Sequence, residues 1–136
     1  MNRKLKTLNA KPEATNMATD FLPVSQSDLN HRGWDRLDII LVTGDAYVDH
    51  PAYGTALIGR VLESRGYRVG VIAQPDWRTA KDFQRLGRPR LFFGITSGNV
   101  DSMVANYTAN KRPRKGDDYS PGGKKKKKPS RDIPRI

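Results

Sequence analysis

The sequence has 136 residues, a length typical of one domain with terminal extensions. Apolar residues make up 36% of the chain, below the roughly 45–50% usual for globular proteins. The absence of cysteine excludes disulfides, thiolate nucleophiles and cysteine-ligated zinc or iron–sulfur centres from this chain. No apolar run approaches the roughly 20 residues needed to span a bilayer, and no signal-peptide core follows the first residues. A cytoplasmic location is therefore expected.

The net charge of +11 is unevenly distributed. Residues 21–110 carry ten basic and nine acidic side chains, whereas residues 111–136 carry eleven basic and three acidic ones. Because both ends are also polar, we predict a flexible segment over 1–19, a folded domain over 20–110 and a flexible, disordered basic tail over 111–136. Such a tail attracts polyanions weakly and without selecting a partner.

The first predicted elements are a short helix and a buried strand. Ser25 and Asp28 have the spacing of a capping box, and Gly33 is a stop signal, so we expect a helix over 26–32. The continuous apolar run at 38–43 is typical of a strand buried on both faces, as in parallel sheets.

A strand–helix–strand unit follows from the next two segments. Residues 53–65 predict a helix whose inward face carries Leu57, Ile58, Val61 and Leu62, ended by Gly66. The run at 68–73 predicts a second buried strand. We also expect Gly54 and Gly59 to let the helix lie close to the sheet.

Three further elements complete the pattern. Thr79 and Asp82 have the spacing of a second capping box, which predicts a short helix ending at Gly87. The apolar run at 90–96 predicts a third strand, and Ser97 or Asn99 could cap a final helix.

Alternating strands and helices indicate an α/β, Rossmann-like, three-layer domain with a short parallel sheet. The common strand order 2-1-3 would leave the strand at 90–96 at an edge, although its apolar sequence is typical of a buried strand. We therefore expect the sheet to be incomplete.

Ligands in such folds bind beyond the carboxyl ends of the strands, where the strand order reverses. The three loops at that end are rich in Asp, His, Thr, Ser, Asn and Gly. We therefore interpret them as candidate ligand-binding or docking loops, and no residue is assigned a catalytic or metal-binding role. The candidate residues are Thr43, Gly44, Asp45, Asp49, His50, Gln74, Asp76, Trp77, Thr96, Ser97, Gly98 and Asn99.

Structural roles compete with binding at several of these positions. Asp49 or His50 could cap the helix, with Pro51 at its first position, whereas Asp45, which we expect to be exposed, has no evident capping role. Residues 96–99 could hold an anion with free backbone amides or form an ordinary turn. Trp77, like Trp34, could cover the edge of the core or anchor a partner.

Several strings carry a family resemblance: residues 33–51, 71–77, 91–103 and 107–109. They closely resemble the N-terminal region of YgiQ-like radical SAM proteins, and the likeness extends from about Phe21 to Gly123. This resemblance implies a large enzyme whose N-terminal domain is similar to cobalamin-binding folds. A following barrel-like domain would hold a [4Fe–4S] cluster that cleaves S-adenosylmethionine.

Those cofactors cannot be assigned to positions in this chain, because it has no cysteine. The cobalamin-type signature D-x-H-x-x-G is also absent, since Asp49 and His50 are adjacent. After Gly123 the sequence departs from the expected pattern at Lys124–Lys128. A frame-shifted or truncated gene product, with the last eight residues out of frame, is one hypothesis.

We therefore expect an N-terminal accessory domain of a radical SAM protein, inactive without the catalytic domain. Its partners would be the rest of such a protein, or a second copy through the edge strand at 91–96. One alternative is an independent flavodoxin-like ligand-binding or docking module. Another is a polyanion-binding protein that acts through its lysine tail.

Overall fold

A computed structural model describes residues 20–98, 106–116 and 120–123. In these ranges the element order is α1 (Gln26–His31), β1 (Ile39–Thr43), α2 (Gly54–Ser64), β2 (Val69–Ala73) and β3 (Phe92–Thr96). Residues Pro121–Gly123 form a single 3₁₀ turn, and Tyr107 makes an isolated antiparallel bridge with Pro113. The predicted final helix falls mainly on residues 99–105, which lie outside the described residues.

The three strands form one parallel sheet in the order β2-β1-β3. Every residue of the central strand β1 is buried, because it has a neighbouring strand at each edge and packed side chains on both faces. The predicted parallel sheet, its strand order and the edge position of β3 are confirmed.

Alternation along β1 divides the core into two clusters, one on each face of the sheet. Ile40 and Val42 pack on the face that contains Leu29 of α1, and Ile39 and Leu41 pack on the opposite face. Leu62 of α2 packs against this second cluster. The strands β1 and β2 are therefore packed on both faces, in the layered arrangement of a Rossmann-like domain.

The capping box of α1 is confirmed. Ser25 Oγ accepts from the backbone N–H of Asp28, and the carboxylate of Asp28 accepts from the backbone N–H of Ser25 and of Val24. Burial of Asp28 opposes ionisation, but these hydrogen bonds, together with the nearby charge of Arg32, leave its pKa below the ordinary value.

The predicted helix after Thr79 is wrong. Residues 81–86 form hydrogen-bonded turns, and the carboxylate of Asp82 accepts from the backbone N–H of Asp76 at 2.8 Å instead of completing a capping box with Thr79. Leu86 nevertheless reaches the core, where it is 4% exposed. The turns therefore bury Leu86, as the sequence pattern indicated, without forming a regular helix.

The inward face of α2 differs from the predicted one. Its buried residues are Ala56 and Gly59, whereas Leu57, Ile58 and Val61 are about half exposed. A Cβ atom added at Gly59 would collide with Cδ1 of the buried Leu22, while one added at Gly54 would meet nothing within 4 Å. Close packing of α2 on Leu22, in the segment that enters the domain, therefore depends on Gly59 and not on Gly54.

Candidate functional site

The loops that follow the three strands meet at the carboxyl end of the sheet, as predicted. The backbone N–H of Gly44 donates to the carbonyl of Thr96 at 3.1 Å, and that of Gln74 donates to the carbonyl of Thr43 at 2.8 Å. The loop after the central strand is thus hydrogen-bonded to both neighbours.

Gln74 occupies an unusual backbone conformation at this junction, with a φ of 43°. Non-glycine residues rarely adopt such values, and their side chains then need compensating contacts. Its Nε2 donates to the carbonyl of Gly44 at 3.1 Å and to Oγ of Ser120 at 2.7 Å. Ser120 is buried here, within the range assigned to the basic tail. The domain boundary at residue 110 stays a prediction, but Ser120 contacts the sheet end.

Asp45 is buried, with only 3% of its surface exposed, which corrects the expectation of an exposed loop residue. Its backbone N–H donates to Oγ1 of Thr43 at 3.2 Å. A Cβ atom added at Gly98 would lie 2.5 Å from the carboxyl group, and Gly98 has a φ of +95°. The loop after β3 therefore closes over Asp45 only because residue 98 is glycine.

Asp49 does not cap α2. That helix begins at Gly54, and its N-cap residue Tyr53 makes no side-chain capping bond. Asp49 instead accepts two hydrogen bonds from the guanidinium of Arg60, which lowers the pKa of the carboxyl group despite its partial burial. The carboxylate is therefore bound to the middle of α2 and not to its first turn.

His50 is also not the helix cap. Its Nδ1 accepts from the backbone N–H of Ala52 at 3.1 Å, and its carbonyl accepts from that of Tyr53 at 2.9 Å. These bonds form the turn that precedes α2. The side chain of His50 is therefore exposed, and its Nδ1 stabilises the local turn.

The side chains of the other predicted site residues take no part in the hydrogen bonds described above between the three loops. Asp76 is exposed and accepts from the backbone N–H of Arg78, whose guanidinium lies 4.5 Å from the ring centroid of Trp77. Nε1 of Trp77 is buried and has no hydrogen-bond acceptor within the described ranges. Ser97 is exposed, and Asn99 lies outside the described residues.

A groove of about 380 Å³ opens beside Asp45, between α2 and β3. Its lining combines the predicted Thr43, Asp45, Thr96 and Gly98 with residues that the sequence did not indicate as site residues. The additional polar and aromatic lining residues are Tyr47, Tyr53 and Thr55, and the apolar ones include Ile58 and Phe92. The sequence signal for these residues was one tyrosine within the polar loop at 43–51, Tyr47, and one shortly after it, Tyr53.

Tyr47 links this groove to the incoming chain. Its hydroxyl oxygen accepts from the backbone N–H of Leu22 at 3.1 Å, and burial raises its pKa. The groove wall is therefore fixed to the segment that enters the domain.

The donor set does not fit an iron–sulfur cluster. The chain lacks the cysteines that hold such clusters. Within 20–98, 106–116 and 120–123, no three His, Asp or Glu side chains gather closely enough to hold a metal ion.

No helix in those ranges has the length and apolarity needed to cross a membrane.

The model of the Radical SAM N-terminal family matches residues 21–134. The chain is 67% identical over 111 residues to a UPF0313 protein of Thermotoga petrophila, covering 82% of this chain and 20% of that protein. It is 59% identical over 111 residues to a UPF0313 protein of Rhodopseudomonas palustris, covering 82% and 16%. It is also 59% identical over 116 residues to one of Methanosarcina acetivorans, covering 85% and 16%. No solved structure matches the chain.

The fold and these matches define an α/β domain of the radical SAM class. The chain belongs to the Radical SAM N-terminal family, which confirms the resemblance drawn from residues 33–51, 71–77 and 91–103. It spans a fifth or less of the length of the three relatives. The family match continues through Lys124–Lys128, so it gives no support to a change of reading frame there.

Proposed function

We propose that this chain acts as the accessory domain of a radical SAM protein, positioning loops for a catalytic region that lies elsewhere. The observation that carries this proposal is the family match over residues 21–134 in a sequence without cysteine. Radical chemistry in this family depends on a thiolate-held [4Fe–4S] cluster that cleaves S-adenosylmethionine, and this chain has no cysteine to hold the cluster. The chemistry therefore belongs to the remaining four-fifths of the longer relatives.

The junction at the carboxyl end of the sheet supports a positioning role. Backbone hydrogen bonds join the loops after β1, β2 and β3, and Asp45 is enclosed by Gly98. These contacts hold the loops at the carboxyl end of the sheet in one conformation. Docking against a catalytic domain requires such a fixed arrangement of the contacting residues. We assign the docking role to the exposed residues of these loops, including His50, Asp76 and Ser97.

The test compares this chain with the full-length Thermotoga petrophila relative after anaerobic reconstitution with iron and sulfide. The relative should form a cluster and release 5′-deoxyadenosine from S-adenosylmethionine under reducing conditions, whereas this chain should do neither. Release of 5′-deoxyadenosine by this chain alone would contradict the accessory role. Failure of the reconstituted relative would contradict radical SAM chemistry in the longer members of the family.

The groove beside Asp45 favours a second candidate function, an independent ligand-binding module. Its volume of about 380 Å³ lies within the range of small-molecule sites, and its lining is mainly apolar. An apolar fluorescent probe should therefore bind, and Ile58→Asp should weaken binding at least fivefold. Leu57→Asp is the matched control, because Leu57 is about equally exposed on the same helix but does not line the groove. Equal effects of the two changes would refute a site in the groove.

Three further expectations stay predictions: the cytoplasmic location, self-association through residues 91–96, and polyanion binding by Lys124–Lys128. The lysine run lies outside the described residues.

A further inference from the structure

The two edges of the sheet differ in how they are covered. At the β2 edge, the backbone N–H of Val71 donates to the carbonyl of Pro23 at 2.8 Å. Four of the five residues of β2 are buried and the fifth is half-buried. The segment that enters the domain therefore covers this edge.

The β3 edge has no such cover among the described residues. Phe92 is 52% exposed and Ile95 is 79% exposed, and Leu91 and Phe93 are also exposed. In the register with β1, Phe92 lies opposite Ile39 and Phe93 opposite Ile40, so apolar side chains are exposed on both faces of the sheet.

The β3 strand also lacks the features that protect natural edge strands from pairing. Its sequence Phe92–Thr96 contains no proline and no charged residue. Edge strands that stay solvent-exposed are usually interrupted by charges, prolines or bulges. An apolar, regular edge strand is instead typical of a strand that pairs with a further strand when the protein is functional.

We propose that β3 pairs with a fourth, parallel strand, which the polypeptide outside the matched region supplies in the longer members of the family. The proposal rests on the proposed accessory role and specifies where the remaining chain attaches. The relatives contain at least four times as much chain outside the matched region as within it. A tethered segment has a far higher effective concentration at this edge than a separate molecule.

The existing sheet specifies the chemistry of that segment. Both existing pairings are parallel, and parallel strands buried on both faces are continuous runs of Val, Ile and Leu. Parallel neighbours are joined through crossover helices, so the same unit would cover Phe92 on one face or Phe93 and Ile95 on the other. We therefore expect an apolar, β-branched strand with an adjoining helix.

Hydrogen–deuterium exchange of this chain and of the full-length Thermotoga petrophila relative tests the proposal, with sedimentation at the same concentration. The β3 amides that point away from β1 should exchange rapidly here and at least about tenfold more slowly in the relative, after normalisation to β2. The β2 strand is the internal control, because its edge is already covered in this chain.

Each other outcome overturns the proposal. Slow exchange of these β3 amides in a monomer of this chain would mean that its own residues cover the edge. Slow exchange in a dimer would mean that a second copy of the chain pairs with β3. Rapid exchange of the matching strand in the full-length relative would leave the edge open. None of these outcomes depends on release of 5′-deoxyadenosine, so the accessory role is tested separately.

Discussion

At the scale of single residues, Arg60 joins several segments of the described part of the chain. Its guanidinium contacts Asp49 and also Glu63, the latter at 2.8 Å, and donates to the carbonyl of Asp20 at 2.7 Å. Glu63 also pairs with Arg32 at 2.7 Å. This network joins the loop after β1, α1, α2 and the incoming segment. Apart from the i,i+3 pair of Arg60 and Glu63, these contacts join distant segments, and such contacts leave no local pattern in the sequence.

Replacing Asp49 by Asn should lower the free energy of unfolding at pH 7 by about 1–3 kcal/mol, since a half-buried charged hydrogen bond is lost. The pKa of Asp49 is depressed in the folded protein, so its contribution is present above the unfolded value near 4 and is lost as the pH falls through the lower folded value. The difference between wild type and variant should therefore shrink on acidification. Denaturant unfolding at several pH values measures it.

Asp35→Asn is the control for that measurement. Asp35 pairs with Arg68 at 3.1 Å, but its side chain is 89% exposed. Solvent screening should keep the effect of this change within about 0.5 kcal/mol at every pH. Equal losses for the two variants would show that the Arg60 network contributes no more than a surface pair.

Gly98 and Asp45 allow a second test at this scale. Gly98→Ala should cost about 1 kcal/mol from its left-handed backbone and about 1–3 kcal/mol more from overlap with the Asp45 carboxyl group. Gly66→Ala, at a φ of +89° with nothing within 4 Å, should cost only the first part. Thermal unfolding of both variants and of Gly98→Ala combined with Asp45→Ala separates the two terms. Without partial rescue in the double variant, overlap with the carboxyl group would not be the cause of the loss.

At the scale of elements, strands were more predictable than helices. The strands at 39–43 and 69–73 are buried on both faces, and their continuous apolar runs indicated this directly. The face of α2 was misplaced because Leu57, Ile58 and Val61 form an apolar stripe that the described residues leave half exposed. The predicted helix after Thr79 failed because Asp82 bonds to Asp76, a contact outside the local spacing rule.

The two glycines of α2 should respond in opposite directions to alanine. Gly→Ala in a helix usually stabilises by up to about 1 kcal/mol, and Gly54→Ala has open space. Gly59→Ala should instead destabilise by about 1–3 kcal/mol, because the added methyl group collides with Leu22 in a packed core. Urea unfolding of the two variants provides the comparison. A stabilising Gly59→Ala would show that the helix can shift away from the sheet without loss.

At the scale of the whole molecule, topology made the candidate site partly predictable. The carboxyl ends of parallel strands lie at the same end of the sheet. The convergence of Thr43, Gln74 and Thr96 therefore followed from the strand order alone. The groove did not follow, because it depends on how far α2 lies from β3. The roles of Asp49 and His50 also required the folded structure, since capping and ion pairing use the same residue types.

The distribution of charge gives the last prediction, which concerns polyanion binding. Because residues 21–110 are nearly neutral, the five lysines at Lys124–Lys128 should account for most attraction to a polyanion. Replacing all five by Ser should lower the salt concentration that elutes the chain from heparin, and the melting temperature should stay unchanged. Arg85→Ser with Arg88→Ser, two exposed positions within the domain, should have a smaller effect per charge removed. An equal or larger effect per charge for the domain pair would place the polyanion-binding surface on the folded domain.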